Sequence, residues 1–287
     1  MTPLLRLHHA TIFRQVNGSR YGAPDHTARV PFVLNRIFPI RQNEALHRLG
    51  GPRSTGTSLR VMEAPQLLVE HLSDWLGVWP SENNGITVVG SHHRVEPGWD
   101  GDIRDVLGVS SPTGGVLSVP PSAARALSEI VRGTSVEEDL ALLNEHKAVV
   151  AGALGRGGHF GEGYFRWSLD PTPGEDVGEW VPREDDRVPE WLKPFNGDVL
   201  IAWDDDGNYG AGVGLKKHDA WGFEISVGTE ESLRGRGIAR RLVATATREI
   251  LRQGRVATYL HAPDNFASGK VADAAGFPDH GWKVLGY

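Results

Sequence analysis

The chain has 287 residues, of which 39% are hydrophobic, 36 are glycine and none is cysteine, and its formal net charge is −6. This describes a globular chain with room for one large domain or two small ones and a real core. It excludes disulfides, thiolate metal sites and a cysteine nucleophile, offers no run of 18 apolar residues for a membrane span, and argues against nucleic acid as a partner.

Residues 1–61 hold nine arginines, no lysine and only two acids, Asp25 and Glu44. This basic extension lacks sustained periodicity. It reads as a targeting peptide, as an unstructured arm, or as sequence ahead of the native start, since Met62 is the only methionine besides Met1. From Met62 the pattern turns to mixed α/β. Residues 64–76 predict a helix with Leu67, Leu68, His71, Leu72 and Trp75 near one face. Residues 86–89 and 116–119 predict strands. Residues 122–132 and 136–150 predict helices. Six glycines among residues 152–163 predict a turn or hinge.

Residues 167–206 predict a loop-rich segment with twelve acids against Arg183, Arg187 and Lys193, punctuated by Trp167, Trp180, Trp191 and Trp203. One reading is a solvated face whose tryptophans reach the core. The other is an acidic, aromatic-edged mouth that attracts a cationic substrate. Within and after it the pattern sharpens. Residues 199–203 and 209–215 predict strands joined by a turn at 204–208, where Asp, Gly and Asn tolerate left-handed backbone. Residues 222–227 predict a third strand with Phe223, Ile225 and Val227 on one face and Glu224 and Ser226 on the other. Helix 233–253, strand 255–260, helix 265–275 and strand 282–287 complete the chain.

The stretch that carries chemistry runs from Glu224 on the third strand, through Thr229, to Arg234-Gly-Arg236-Gly-Ile-Ala239 at the start of the long helix. Helix N-termini leave amide N–H groups unpaired and carry partial positive charge. Gly235 and Gly237 let backbone approach a ligand closely, and Arg234 and Arg236 suit phosphate oxygens. The arrangement is a pyrophosphate cradle. It is not a dinucleotide loop, because Arg240 stands at the third glycine position, nor a Walker loop, because the only Gly-Lys pair, Gly269–Lys270, precedes Val271.

The strand glutamate, the R-x-x-G-x-A turn from Arg234 to Ala239, Asn265-Phe-Ala-Ser268 about thirty residues on, and Ala275-Gly276-Phe277 follow one another in order. On these residues the chain resembles the GNAT superfamily of acetyl-CoA-dependent N-acetyltransferases over about residues 160–287, and within it actinobacterial members. The resemblance implies an α/β (α+β) fold with a mixed central sheet flanked by helices. It implies that Arg234, Gly235, Arg236, Gly237, Ile238 and Ala239 hold the pyrophosphate of acetyl-CoA. The backbone of Ser226, Val227 and Gly228 then pairs with the pantetheine arm, and the Val227 amide faces the thioester oxygen. Asn265 contacts the pantetheine end and Ser268 lies near the sulfur. Glu224 stands at the family's usual base position; the plain alternative is a strand carboxylate paired with an arginine.

Attack by an amine needs a neutral nucleophile, so a base must take a proton. His218 is a further candidate as substrate contact or second base, and His261 stands near the cofactor helix. Many family members carry a helix tyrosine that protonates the leaving thiolate. That position is Ala272 here, which leaves Ser268 as the nearby hydroxyl. No metal is implied, and His92–His93 lacks a zinc-ligand frame.

The sequence thus divides into a basic extension (1–61), an N-terminal α/β half (62–160) and a catalytic half (161–287). The middle part reads as a degenerate repeat of the same fold or as a small α/β cap, with Arg94, Trp99 and Asp100 as candidates for lining a cleft between the halves. The expected activity is acetyl transfer to a primary amine of a small cationic molecule by a cytoplasmic enzyme, with neither nucleic acid nor membrane as partner. The alternatives are a protein or peptide N-acetyltransferase and a non-catalytic acyl-CoA sensor.

Overall fold

A computed structural model describes residues 65–287, so the expectations for residues 1–61 lie outside the described residues. The described residues contain a ten-stranded mixed sheet and six α-helices. The strands are β1 (Ile86–Gly90), β2 (Leu107–Ser111), β3 (Gly114–Val119), β4 (Gly161–Ser168), β5 (Glu179–Val181), β6 (Val199–Trp203), β7 (Tyr209–Lys217), β8 (Gly222–Thr229), β9 (Val256–His261) and β10 (Lys283–Gly286). The helices are α1 (Gln66–Leu76), α2 (Pro121–Ser128), α3 (Val136–Glu145), α4 (Lys147–Leu154), α5 (Ile238–Arg252) and α6 (Phe266–Ala275). No helix among the described residues is long and apolar enough to cross a membrane.

The sheet order is β1-β3-β2-β10-β4-β9-β8-β7-β6-β5. The β1–β3 and β8–β9 pairs are parallel and all others antiparallel. The last strand, β10, lies between β2 and β4 and so joins the earlier strands to the later ones. Consecutive strand residues enter opposite layers, as the pleat requires. Val284 packs with α1, Phe165, Trp167 and Val256, whereas Leu285 packs with Leu117, Val119 and helices α2 to α4. On that second face α5 and α6 cover Leu215, Phe223, Ile225 and Tyr259. Helix α5 does so with Leu242, Val243, Ala246 and Ile250, the buried stripe of an amphipathic helix.

Several sequence expectations need correction. The helix expected over 136–150 is two helices. The His146 backbone leaves helical geometry (φ −85°, ψ 39°), and its ring Nδ1–H donates to the Leu142 carbonyl at 2.9 Å. The turn expected over 152–163 is shorter, because α4 runs to Leu154 and β4 begins at Gly161. Strands β2, β4 and β5 were not anticipated. In β4, Arg166 and Ser168 are as buried as Phe165 and Trp167, so the usual alternation is missing. Helix α5 starts at Ile238 rather than 233, because Gly235 and Gly237 hold φ of 76° and 73°, which a right-handed helix does not allow.

Leu285 is fully buried on the strand that joins both parts of the sheet. Leu285→Ala is expected to cost about 2–5 kcal/mol in urea unfolding. A change under about 1 kcal/mol would contradict this role for β10.

Candidate functional site

Strand β8 pairs with β7 along its length, from Phe223 opposite Lys217 to Thr229 opposite Ala211. With β9 it pairs only at Gly222–Val256, Phe223–Ala257 and Glu224–Thr258. Beyond that pair β9 continues with β4 alone, Leu260 opposite Phe165 and His261 opposite Tyr164. The two parallel strands therefore fork after Glu224. Ser226, Val227 and Gly228 lie on the β8 arm, half-buried and without a strand partner on the β9 side.

Both helices that follow these strands begin at the open end of the fork. Ahead of α5, Arg234, Gly235 and Arg236 are exposed, and Gly237, Ile238 and Ala239 are half-buried. The first helical hydrogen bond runs from Arg241 N–H to Gly237 O at 3.4 Å. The N–H groups of Ile238, Ala239 and Arg240 therefore have no partner within the helix. Arg234 Nε donates to the Thr229 carbonyl at 3.2 Å, which fixes the turn to the end of β8. At α6, Asn265 is the N-cap and its Oδ1 accepts the Ser268 N–H at 3.0 Å.

On the helix side of the fork stands a pair of buried hydroxyls. Tyr259, one residue past the last β8–β9 pair, lies 2.8 Å from the Ser268 Oγ through its hydroxyl. Tyr259 belongs to the same core cluster as Ala272. The small side chain at 272 thus goes with a phenol that arrives from the strand. Sequence reasoning missed Tyr259, because in sequence it is one more aromatic in a β-run.

Glu224 faces the opposite side, in register with Lys216. The Lys216 ammonium binds its Oε1 and His218 Nε2 lies 3.0 Å from its Oε2. Burial by itself raises the Glu224 carboxyl; the Lys216 charge and the His218 hydrogen bond outweigh it and hold Glu224 at about 2. Burial pushes His218 below the ordinary histidine value, with Glu224 pulling the other way. The His218 ring packs on Trp75 of α1 at 4.6 Å. On the same helix His71 is fully buried, and its Nδ1–H donates to Asp219 at 2.6 Å.

The remaining expected residues fall into two groups. Trp99 stacks on Phe195 at 5.3 Å, with the Lys216 ammonium 5.9 Å from its ring. Asp100 holds Arg104 through two contacts of 2.6 and 2.7 Å. These side chains stand beside the Glu224 cluster. Arg94 is buried and donates to the Trp75 carbonyl at 3.0 Å, a bond that ties the loop to α1. His261 donates from Nδ1 to the Ala262 carbonyl at 3.0 Å and stacks on Tyr164; burial lowers its pKa. Four of the twelve acids in the acidic segment hold an ion pair. Asp176 pairs with Arg248 and Arg252, Asp185 with Arg187, Glu184 with Arg183 and Glu190 with Lys193.

Residues 162–277 match the sequence model of the acetyltransferase (GNAT) family. No match was found among curated proteins. Similar solved structures include a GNAT-family protein from Novosphingobium aromaticivorans DSM 12444, with 20% identity, TM-score 0.38, and coverage of 45% of this chain and 64% of that one. A GNAT-family acetyltransferase from Colwellia psychrerythraea has 15% identity, TM-score 0.37, and coverage of 49% and 60%. A GCN5-related N-acetyltransferase-like protein from Streptococcus suis 89/1591 has 16% identity, TM-score 0.38, and coverage of 60% and 78%. This chain therefore spans less than two-thirds of the length of the first two.

Because Glu224 is held at about 2 against an ordinary 4.5, its ionisation contributes stability that is complete above about pH 4.5 and lost as pH falls towards 2. Glu224→Gln is expected to flatten the decline of the urea midpoint between about pH 5 and pH 3. An unchanged decline would show that its two partners do not hold the carboxylate.

Proposed function

Because residues 162–277 match the sequence model of the acetyltransferase (GNAT) family, we propose that the chain transfers an acetyl group from acetyl-CoA directly to a primary amine of a small molecule. The observation that carries this reading is the fork between β8 and β9. It combines a free strand edge, two helix N-termini and a buried proton-handling group on each side.

The pyrophosphate of the donor sits on the amides from Gly235 to Ala239, with Arg234 and Arg236 supplying full charge. The pantetheine arm adds to the edge of Ser226, Val227 and Gly228 as a short strand would. The Val227 amide faces the thioester oxygen and stabilises the charge that develops there. Asn265 meets the pantetheine end and places Ser268 beside the sulfur. The amine attacks the carbonyl carbon, the C–S bond breaks, and its electron pair goes to sulfur. Ser268 gives its proton to that sulfur, Tyr259 re-protonates the serine oxygen, and a proton from water in the emptied fork returns through Ser268 to the phenol once the products leave. Glu224 acts on the amine side.

The acceptor expected from the acidic segment is a small cation. Four of that segment's twelve carboxylates are ion-paired, and the support for the reading is amine chemistry at the fork rather than bulk charge. The deciding experiment measures thiol release from acetyl-CoA by the full chain against aminoglycosides, polyamines, amino acids and short peptides. Turnover with small amines is the expected result, and turnover with peptides alone would move the acceptor to proteins. Binding of acetyl-CoA with no turnover would make the chain a sensor.

Two variants probe the parts. Arg236→Ala should weaken acetyl-CoA binding in calorimetry by about 1.5–3 kcal/mol, roughly tenfold or more; full affinity would remove the pyrophosphate from this turn. Tyr259→Phe should lower kcat with acetyl-CoA on the order of 10²-fold, and much less with a thioester of an acidic aryl thiol, whose thiolate needs no proton. An equal loss with both donors would take Tyr259 out of the proton path.

A further inference from the structure

The acceptor amine must lose a proton on the face where Glu224 stands, yet Glu224 is poorly built to take it. Both of its oxygens are engaged, one by the Lys216 ammonium and the other by the His218 ring. A carboxylate held at about 2 is far from the operating pH at which a general base works best. The imidazole bound to it has the complementary properties. A carboxylate oxygen can only accept, so Nε2 of His218 carries the hydrogen and Nδ1 keeps its lone pair. Nδ1 has no hydrogen-bond partner among the described residues, and it is not one of the polar atoms sealed from solvent, which in this cluster include Nε2 of His71.

The ring is fixed on its other sides. Trp75 packs against it at 4.6 Å and His71 stands at 6.3 Å, both from α1. The titratable groups facing His218 are Glu224 on β8, Lys216 on β7 and His71 on α1. Asp219, the next residue, is taken up by His71 and by the N–H groups of Trp221 and Gly222. Arg104 adds positive charge within the field of Glu224. Burial, His71 and Lys216 all disfavour the imidazolium, and Glu224 alone opposes them, so the ring is neutral at neutral pH and ready to accept.

We propose that His218 takes the proton of the attacking amine on Nδ1, and that Glu224 is the positioning residue that fixes its tautomer and steadies the imidazolium. This assignment rests on the acetyltransferase reading. The amine N–H bond breaks as its nitrogen bonds to the carbonyl carbon, and the proton moves to Nδ1. It then leaves to solvent from Nδ1 once the amide product departs, with no change of oxidation state. Lys216 holds Oε1, which leaves Oε2 for the ring.

The test compares the pH dependence of kcat for the full-length wild type, His218→Gln and Glu224→Gln, at saturating acetyl-CoA and a small primary amine. The wild type should lose activity on the acid side through a group titrating below the ordinary histidine value. His218→Gln should fall about 10²–10⁴-fold and lose that acid limb while still binding acetyl-CoA. Glu224→Gln should fall less and move the limb to lower pH, since the imidazolium loses its counter-ion. An active wild type whose limb persists in His218→Gln would overturn the assignment and leave the acetyltransferase reading standing. A wild type that turns over no amine would end both. Should His218→Gln not fold, nitrogen NMR of labelled histidine in the wild type decides. A neutral ring protonated on Nε2 is expected, and protonation on Nδ1 or a charged ring at neutral pH would contradict it.

Discussion

The parallel pairing of β8 with β9 stops at Glu224 and Thr258, and the site depends on that stop. Each arm of the fork keeps a partner on its outer side, β7 for β8 and β4 for β9, so the opening costs no strand order elsewhere. The inner edge of β8 is left with backbone groups that a ligand can pair. Each parallel strand also feeds a helix that starts at the open end, so the N-termini of α5 and α6 both lie there. On the β4 side of the fork the sheet continues through β10, the strand that ties β2 to β4.

The fork also separates two kinds of polar group. Hydroxyls occupy the helix side, where Tyr259 meets Ser268. Ionised groups occupy the other side, where Lys216, Glu224 and His218 form a buried cluster. Rings wall off that second side. Phe195 lies so close to Gly214 that an added Cβ would stand 2.5 Å from it, and Trp191 lies over Gly228 at 2.8 Å by the same measure. Glycine at these strand positions is what lets a ring lie flat on the backbone. The effect is to lower the local polarity around Glu224, which strengthens its two contacts and makes each unpaired charge more costly.

The helices after residue 161 were readable where one face is buried and one is not. Helices α5 and α6 show that contrast; β6, β7 and β8 came through instead as apolar runs bounded by turn residues, since β7 is buried on both faces from Gly210 to Leu215 and β8 from Gly222 to Ile225. Strand β4 did not, because Arg166 and Ser168 are buried opposite Phe165 and Trp167 and erase the alternation. The turn ahead of α5 was legible from Gly235 and Gly237, although their left-handed backbone starts α5 later than its periodicity suggests. The contacts of Glu224 and Ser268 were the hardest to read. Lys216 joins Glu224 only through the β7–β8 register, and Tyr259 joins Ser268 only because α6 folds back over β9. The charge of residues 167–206 left both a solvated face and a substrate mouth open, and the pairing of Asp176 with Arg248 and Arg252 lies too far along the chain to be read from the sequence.

Amide hydrogen exchange, with and without acetyl-CoA, tests the fork most directly. The account predicts slower exchange on donor binding at the amides of Ser226, Val227 and Gly228 and at those from Gly235 to Ala239, with little change along β1 to β3. Protection elsewhere in the sheet, with the β8 edge unchanged under saturating donor, would contradict it.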